Sequence, residues 1–135
     1  MLKIKRIKIK QVILDKNIYH LITFVKKHNM IVITGAAGFI SSCLVAHLNE
    51  QGFKELVLVD DFSIESKKPN YENKSYKELV DRKEFITWLD KNHKLTQIII
   101  HLGARTDTTE FDKDIFDTLN LNYSKEVWNK SIQYS

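Results

Sequence analysis

From Met30 onward, unbroken runs of β-branched residues alternate with stretches in which apolar residues recur every three or four positions. Residues 31–34 (Ile-Val-Ile-Thr) are such a run, expected of a strand covered on both faces. Ile40, Leu44 and Leu48 recur at fourfold spacing and predict a helix over about 39–51, stopped by Gly52 at its C′ position. Residues 55–60 (Glu-Leu-Val-Leu-Val-Asp) read as a second strand. After a polar loop holding Pro69 and Asn70, residues 75–79 (Ser-Tyr-Lys-Glu-Leu) read as a short edge strand. Phe85, Trp88 and Leu89 mark a helix over 82–92, and residues 97–101 (Gln-Ile-Ile-Ile-His) the next buried strand. A last helix over roughly 111–133 aligns Phe116, Leu119, Tyr123 and Val127, and both Trp88 and Trp128 are expected as packing residues on helix faces. The alternation is that of an α/β protein with a Rossmann-like, doubly wound parallel sheet, truncated after about four strands. In the order 3-2-1-4, Ile98, Ile99 and Ile100 then form an open apolar edge that invites association with another chain.

Charge separates the first 29 residues from the rest. Residues 1–29 carry eight Lys/Arg against one Asp and residues 30–135 carry thirteen against sixteen acids, so the leader is +7 and the body −3. The overall basicity therefore belongs to the leader, and nothing in the body's charge points to nucleic acid. Asp15, Lys16, Asn17 and His20 break the leader's apolar stretch, so neither a signal h-region nor a membrane span is expected. Residues 1–29 are read as a basic N-terminal extension without function. The alternatives are a helix or strand packed on the domain, and a contact with a membrane surface or acidic partner. Its alternating stretch Ile-Lys-Ile-Lys-Gln-Val-Ile-Leu (7–14) is the first candidate to cover the open isoleucine edge. With a single cysteine, Cys43, a disulfide framework is excluded and a reducing, cytoplasmic compartment expected. The five histidines show no metal-ligand spacing with one another or with Cys43, and His101 reads as a strand-end packing residue.

Between the first strand and its helix stands Gly35-Ala-Ala-Gly38-Phe-Ile-Ser41. A glycine at position 35 lets the chain turn tightly, and one at 38 lets backbone N–H groups approach a pyrophosphate at the positive end of the helix. Asp60, about twenty-five residues after Gly35, ends the next strand and is placed to accept hydrogen bonds from an adenosine ribose; the alternative is an ordinary strand-end acid. Ser41 stands where a third glycine would permit close packing of helix on strand. Its side chain either costs about 1 kcal/mol of packing or bonds a phosphate.

The runs Thr-Gly-Ala-Ala-Gly-Phe-Ile (34–40), Leu-Val-Asp-Asp-Phe-Ser (58–63), His-Leu-Gly-Ala-Arg-Thr-Asp-Thr-Thr-Glu-Phe-Asp (101–112) and Leu-Asn-Leu-Asn-Tyr-Ser-Lys (119–125) together resemble the ADP-L-glycero-D-manno-heptose 6-epimerases, extended short-chain dehydrogenase/reductases. The resemblance covers essentially all of residues 30–135, a partial NAD(P)-binding domain. It implies a bound nicotinamide, NADP or alternatively NAD, that oxidises C6 of an ADP-heptose and returns the hydride to the other face, for the inner core of lipopolysaccharide. It also implies a homo-oligomer. Carried across by position, Gly35, Gly38, Phe39 and Ile40 lie by the pyrophosphate, and Asp60 and Asp61 by the adenosine ribose. Lys67 and Arg82 match basic positions that can meet a 2′-phosphate, though Lys67 also reads as plain surface charge. Leu102, Gly103 and Ala104 line the cofactor, with Asn120 reaching in from the last helix. Relatives often have Asn at Asp61 and a polar residue at Leu102, and an extra carboxylate beside a 2′-phosphate repels it.

The same resemblance implies a catalytic Tyr activated by a Lys four residues later, which lowers the phenol pKa for proton exchange with the sugar. No such pair occurs: the residues four after Tyr19, Tyr71, Tyr76 and Tyr123 are Thr23, Ser75, Val80 and Val127, and Tyr134 has no such successor. No catalytic residue is therefore assigned. The chain reads as the cofactor-binding half of an epimerase, inactive alone; the alternatives are a dinucleotide-binding module that needs a separate chain, or a non-functional remnant.

Overall fold

The computed structural model describes residues 8–10, 29–104 and 112–135. Five strands build one parallel sheet: β1 (Lys8–Lys10), β2 (Met30–Thr34), β3 (Leu56–Asp60), β4 (Glu78–Asp81) and β5 (Thr96–His101). Their order is β1-β5-β2-β3-β4. The four strands from Met30 onward thus take the expected order 3-2-1-4, and the edge strand starts a little later than its weak pattern suggests.

The isoleucine edge is covered. β1 pairs in parallel with β5, Lys8 opposite Ile98, Ile9 opposite Ile99 and Lys10 opposite Ile100. These three leader residues adopt the strand that was one alternative for the segment.

Period-two alternation sends successive strand residues to opposite faces, and each face has its own core. Ile31, Ile33, Leu56, Leu58, Ile98 and Ile100 pack beneath α1 (Phe39–Glu50), which contributes Leu44, Val45 and Leu48. Val32, Val57, Val59 and Ile99 meet Phe85 and Leu89 of α2 (Phe85–Asn92) and Val127 of the last helix. Completely burying a side chain such as Phe85 contributes about 1.5–3 kcal/mol.

The last helix changes pitch along its length. It begins as α3 (Lys113–Phe116), passes through a π-helical segment (Asp117–Asn122) and continues as α4 (Tyr123–Gln133). The wider pitch shifts the phase of the apolar face, so Val127 is buried while Phe116 and Leu119 are only half-buried. Trp88 is half-buried against the core and donates its indole N–H to Glu78 at 3.0 Å. Trp128 departs from expectation, lying more than half exposed. Ile40 is also exposed, not buried: the inward face of α1 is Ser41, Ser42, Leu44, Val45 and Leu48, and a fourfold step drifts about 40° around the helix, which carries Ile40 off that face. Across the second face, Lys130 and Tyr134 both donate to one oxygen of Asp90, tying α4 to α2. Among the described residues no helix is long and apolar enough to cross a membrane.

Candidate functional site

β2 continues into a helix on one face of the sheet, whereas the helix following its neighbour β5 covers the other face. The crevice at their carboxyl ends is the topological switch point, where open α/β sheets take ligands. Gly35 leaves β2 with φ +67°. A Cβ built on Gly35 would lie 2.5 Å from the Cα of Gly103 and 2.7 Å from its nitrogen, so the two loops meet backbone to backbone. The tight turn expected at Gly35 is there, and the approach of Gly103 is a second reason for a glycine.

The turn's backbone is held on all sides. Ala36 N–H donates to Val59 O at 3.2 Å and Gly38 N–H to Gly35 O at 2.9 Å. Ala37 N–H donates to Asp60 Oδ2 at 2.9 Å, and Ala37 O accepts from the Asn70 amide at 2.7 Å. Helix α1 then starts at Phe39 with no side chain capping it and no acid in its first turn. Helical geometry leaves the N–H groups of its first turn without intrahelical partners, and the macrodipole adds positive potential there. A Cβ built on Gly38, in extended conformation at the N-cap, would lie 3.1 Å from Gly35 O. Phe39 and Ile40 stand out from this helix start, 79% and 58% exposed. Ser41 is buried on the inward face of the helix.

Asp60, at the end of β3, is buried, and it has partners within the protein. Besides Ala37, its carboxylate accepts from Asp61 N–H at 2.7 Å and Lys67 Nζ at 3.1 Å. A carboxylate offers about four acceptor positions, so the partners among the described residues leave one. Beside it, Asp61 accepts from the Ser63 hydroxyl and N–H and from Arg82 Nη2 at 3.3 Å. These bonds, the Ser63 hydroxyl first, hold the Asp61 carboxyl below its ordinary pKa. The four residues assigned to the adenosine end therefore do come together, as two acid–base pairs, with Lys67 and Arg82 each about one-third exposed.

Leu102 and Gly103 are half-buried and Ala104 is exposed just beyond β5. Leu102 N–H donates to Thr34 O at 3.3 Å. The remainder of the run after Ala104, 105–111, lies outside the described residues. Asn120 is half-buried in the π-helical segment, shortly before Ser124. Sequence reasoning missed the link that anchors this helix: His101 Nε2 meets Ser124 Oγ at 2.8 Å, and His101 Nδ1 meets Thr34 Oγ1 at 2.6 Å. Burial pushes the His101 imidazole pKa down. Asn70 was missed as well, since a loop asparagine carries no signal of which distant carbonyl it will meet. Tyr123 Oη is buried with no hydrogen-bond partner among the described residues, and burial pushes its pKa up.

A pyrophosphate fits this architecture: the tight turn at Gly35, the absence of a side chain at Gly38 and the uncapped helix start offer an anion backbone N–H groups and positive potential. Known proteins resemble this chain in sequence and in fold. The ADP-L-glycero-D-manno-heptose-6-epimerase of Fusobacterium nucleatum is 37% identical over 111 residues, 78% of this chain and 33% of the relative. The enzyme of the same name from Nitratidesulfovibrio vulgaris is 37% identical over 98 residues, 71% of this chain and 30% of the relative. The chain thus spans about a third of the length of the curated relatives it matches. Among solved structures, UDP-glucuronic acid 4-epimerase from Bacillus cereus in complex with NAD superposes with TM-score 0.58 at 25% identity, over 75% of this chain and 35% of that one. UDP-glucose 4-epimerase from Thermotoga maritima, with UDP-glucose, gives 0.59 at 25% identity over 78% and 35%. The profile of the NAD dependent epimerase/dehydratase family matches residues 31–128, and the chain belongs to that family.

Proposed function

We propose that residues 30–135 hold the nicotinamide dinucleotide of an ADP-heptose 6-epimerase, and that the chain alone does not turn over. The observation that carries the reading is the clamp of Asp60 on Ala37 N–H, which fixes the glycine turn beside the uncapped start of α1. In this assignment the N–H groups at Phe39 and Ile40 receive the pyrophosphate, and the remaining acceptor position of Asp60 receives a ribose hydroxyl. Leu102, Gly103 and Ala104 flank the cofactor beyond β5, with Asn120 near it. When bound, a nicotinamide supplies reversible hydride transfer at C6 of the sugar. The heptose specificity rests on the two relatives of that name.

NADP is the proposed cofactor, with NAD as the alternative. Lys67 and Arg82 stand at the ribose end but are paired with Asp60 and Asp61. A 2′-phosphate must draw at least one cation away from its carboxylate, while Asp61 opposes it. Proton exchange with the sugar is assigned to no residue, since no Tyr is followed by Lys at i+4. The sugar nucleotide, the cytoplasmic location and the role in lipopolysaccharide synthesis belong to the same proposal, and the homo-oligomer is proposed for the full-length family and not for this chain alone.

The test is calorimetric titration of the chain with NADP and NAD. Weak binding is expected, abolished by Gly38→Val, because a branched side chain there occupies the space meant for the pyrophosphate. Equal affinity for variant and parent refutes the site. Conversion of ADP-heptose by the purified chain refutes the reading that it only holds the cofactor.

A further inference from the structure

The outermost strand comes from the wrong end of the chain for a doubly wound sheet. In the order 3-2-1-4-5-6 the position beside the fourth strand is filled, in parallel, by the strand that follows the next crossover helix. Here β1 fills it, from ahead of the first Rossmann strand, and in the same parallel sense. Residues 11–29 lie between β1 and β2, nineteen residues, enough for the crossover that parallel strands require. β1 spans only three residues, whereas β5 spans six.

The chemistry of the substitution is that of edge protection. Uncovered, β5 would present Ile98, Ile99 and Ile100 with a row of unpaired backbone groups, a template for adding another strand. Covered, the outermost strand reads Lys-Ile-Lys, and lysines on an edge strand oppose further pairing by charge and by desolvation.

We propose that the leader strand Lys8–Lys10 is a guard that stands in the fifth-strand position and prevents two copies of this chain from joining through β5. The joined state is an isologous pair in which the two β5 edges run side by side. This inference rests on the pairing of β1 and is independent of the cofactor.

The test uses the whole chain with Ile9→Pro and Lys10→Pro together. Successive N–H groups of a strand point to opposite sides, so two adjacent prolines remove one that faces β5. Lys10→Gln alone controls for the lost charge, and Ile9→Gly weakens the same strand more mildly. By sedimentation the parent and Lys10→Gln are expected to be monomers, while the double-proline variant dimerises or oligomerises with rising concentration. At low concentration, before it associates, the β5 amides that face β1 exchange at least about tenfold faster in the double-proline variant, while those of Val57–Val59 stay protected. If the double-proline variant loses protection at Val57–Val59 as well, Ile9→Gly decides by the same two readouts. A monomeric variant with β5 amides as slow as the parent's overturns the proposal, and so does a parent that associates as strongly as the variant.

Discussion

Two glycines with positive φ offer a way to separate backbone strain from close approach. Gly35 has φ +67° and Gly52 φ +86°, so an alanine at either is strained by about 1–2 kcal/mol. Alanine also narrows the unfolded ensemble, which returns about 0.4–1 kcal/mol. At Gly52 nothing among the described residues lies within 4 Å of the added Cβ, so Gly52→Ala should cost about 1 kcal/mol or less. At Gly35 the Cβ would lie 2.5 Å from Gly103 Cα, 2.7 Å from its nitrogen and 3.0 Å from the carbonyl carbon of Leu102. All three are backbone atoms, so the β5 loop itself must move, at an overpacking cost of about 1–3 kcal/mol beyond the strain. For a domain near 100 residues each kcal/mol shifts Tm by roughly 4–8 °C. Gly35→Ala should therefore melt well below Gly52→Ala, by roughly 5–15 °C, with urea denaturation giving the same ranking. Gly103→Ala should fall between them, since its Cβ is 3.1 Å from Gly35 N. Equal stabilities for Gly35→Ala and Gly52→Ala would show that the loops do not meet as described.

Asp60→Ala removes the acceptor of the buried Ala37 N–H and leaves Lys67 without its carboxylate, so a loss of about 1–3 kcal/mol is expected in urea denaturation; a change within about 0.5 kcal/mol would deny the clamp. The His101 pKa in the folded chain lies below the ordinary 6.5, so the fold favours neutral imidazole. Stability from this group is complete above the ordinary value and declines as pH falls through it, when the unfolded chain takes up the proton first. The parent should therefore lose more stability than His101→Gln between pH about 7 and about 5, read by denaturation at each pH; parallel losses would place the titrating group elsewhere.

Strands were legible wherever a β-branched run is buried on both faces, as at Ile31–Thr34, Leu56–Asp60 and Ile98–Ile100, because no polar side chain interrupts the pattern. β4 was blurred, since at an edge only Val80 of its four residues is buried. Fourfold spacing placed α1 but misassigned Ile40, because a row of fourfold steps drifts about 40° per step around a helix and leaves the buried face at its end. The apolar face of the last helix was misjudged for a different reason: the π-helical segment resets the phase between Phe116 and Tyr123. The partners of Asn70, Ser124 and the Lys8–Lys10 strand lie 33, 23 and about ninety residues away. Such pairings are set by the closed sheet, and no local spacing carries them.

The partners of Ala36 and Ala37 in the glycine turn come from β3 or the segment after it. Val59 O takes Ala36 N–H, Asp60 takes Ala37 N–H, and Asn70 donates to Ala37 O. The position of the α1 start relative to the acid that ends β3 is therefore determined by the β2–β3 register, Ile31 opposite Leu56 through Thr34 opposite Val59. Both strands are buried along their whole length, so a one-residue slip would exchange the residues of the two cores. Gly103 closes the crevice from β5, whose register against β2 is set in the same way. The pyrophosphate and ribose contacts proposed here thus rest on residues 31–103 alone. Proton exchange with the sugar is assigned to no group in this stretch, so binding and turnover should separate, with a measurable cofactor affinity and no conversion.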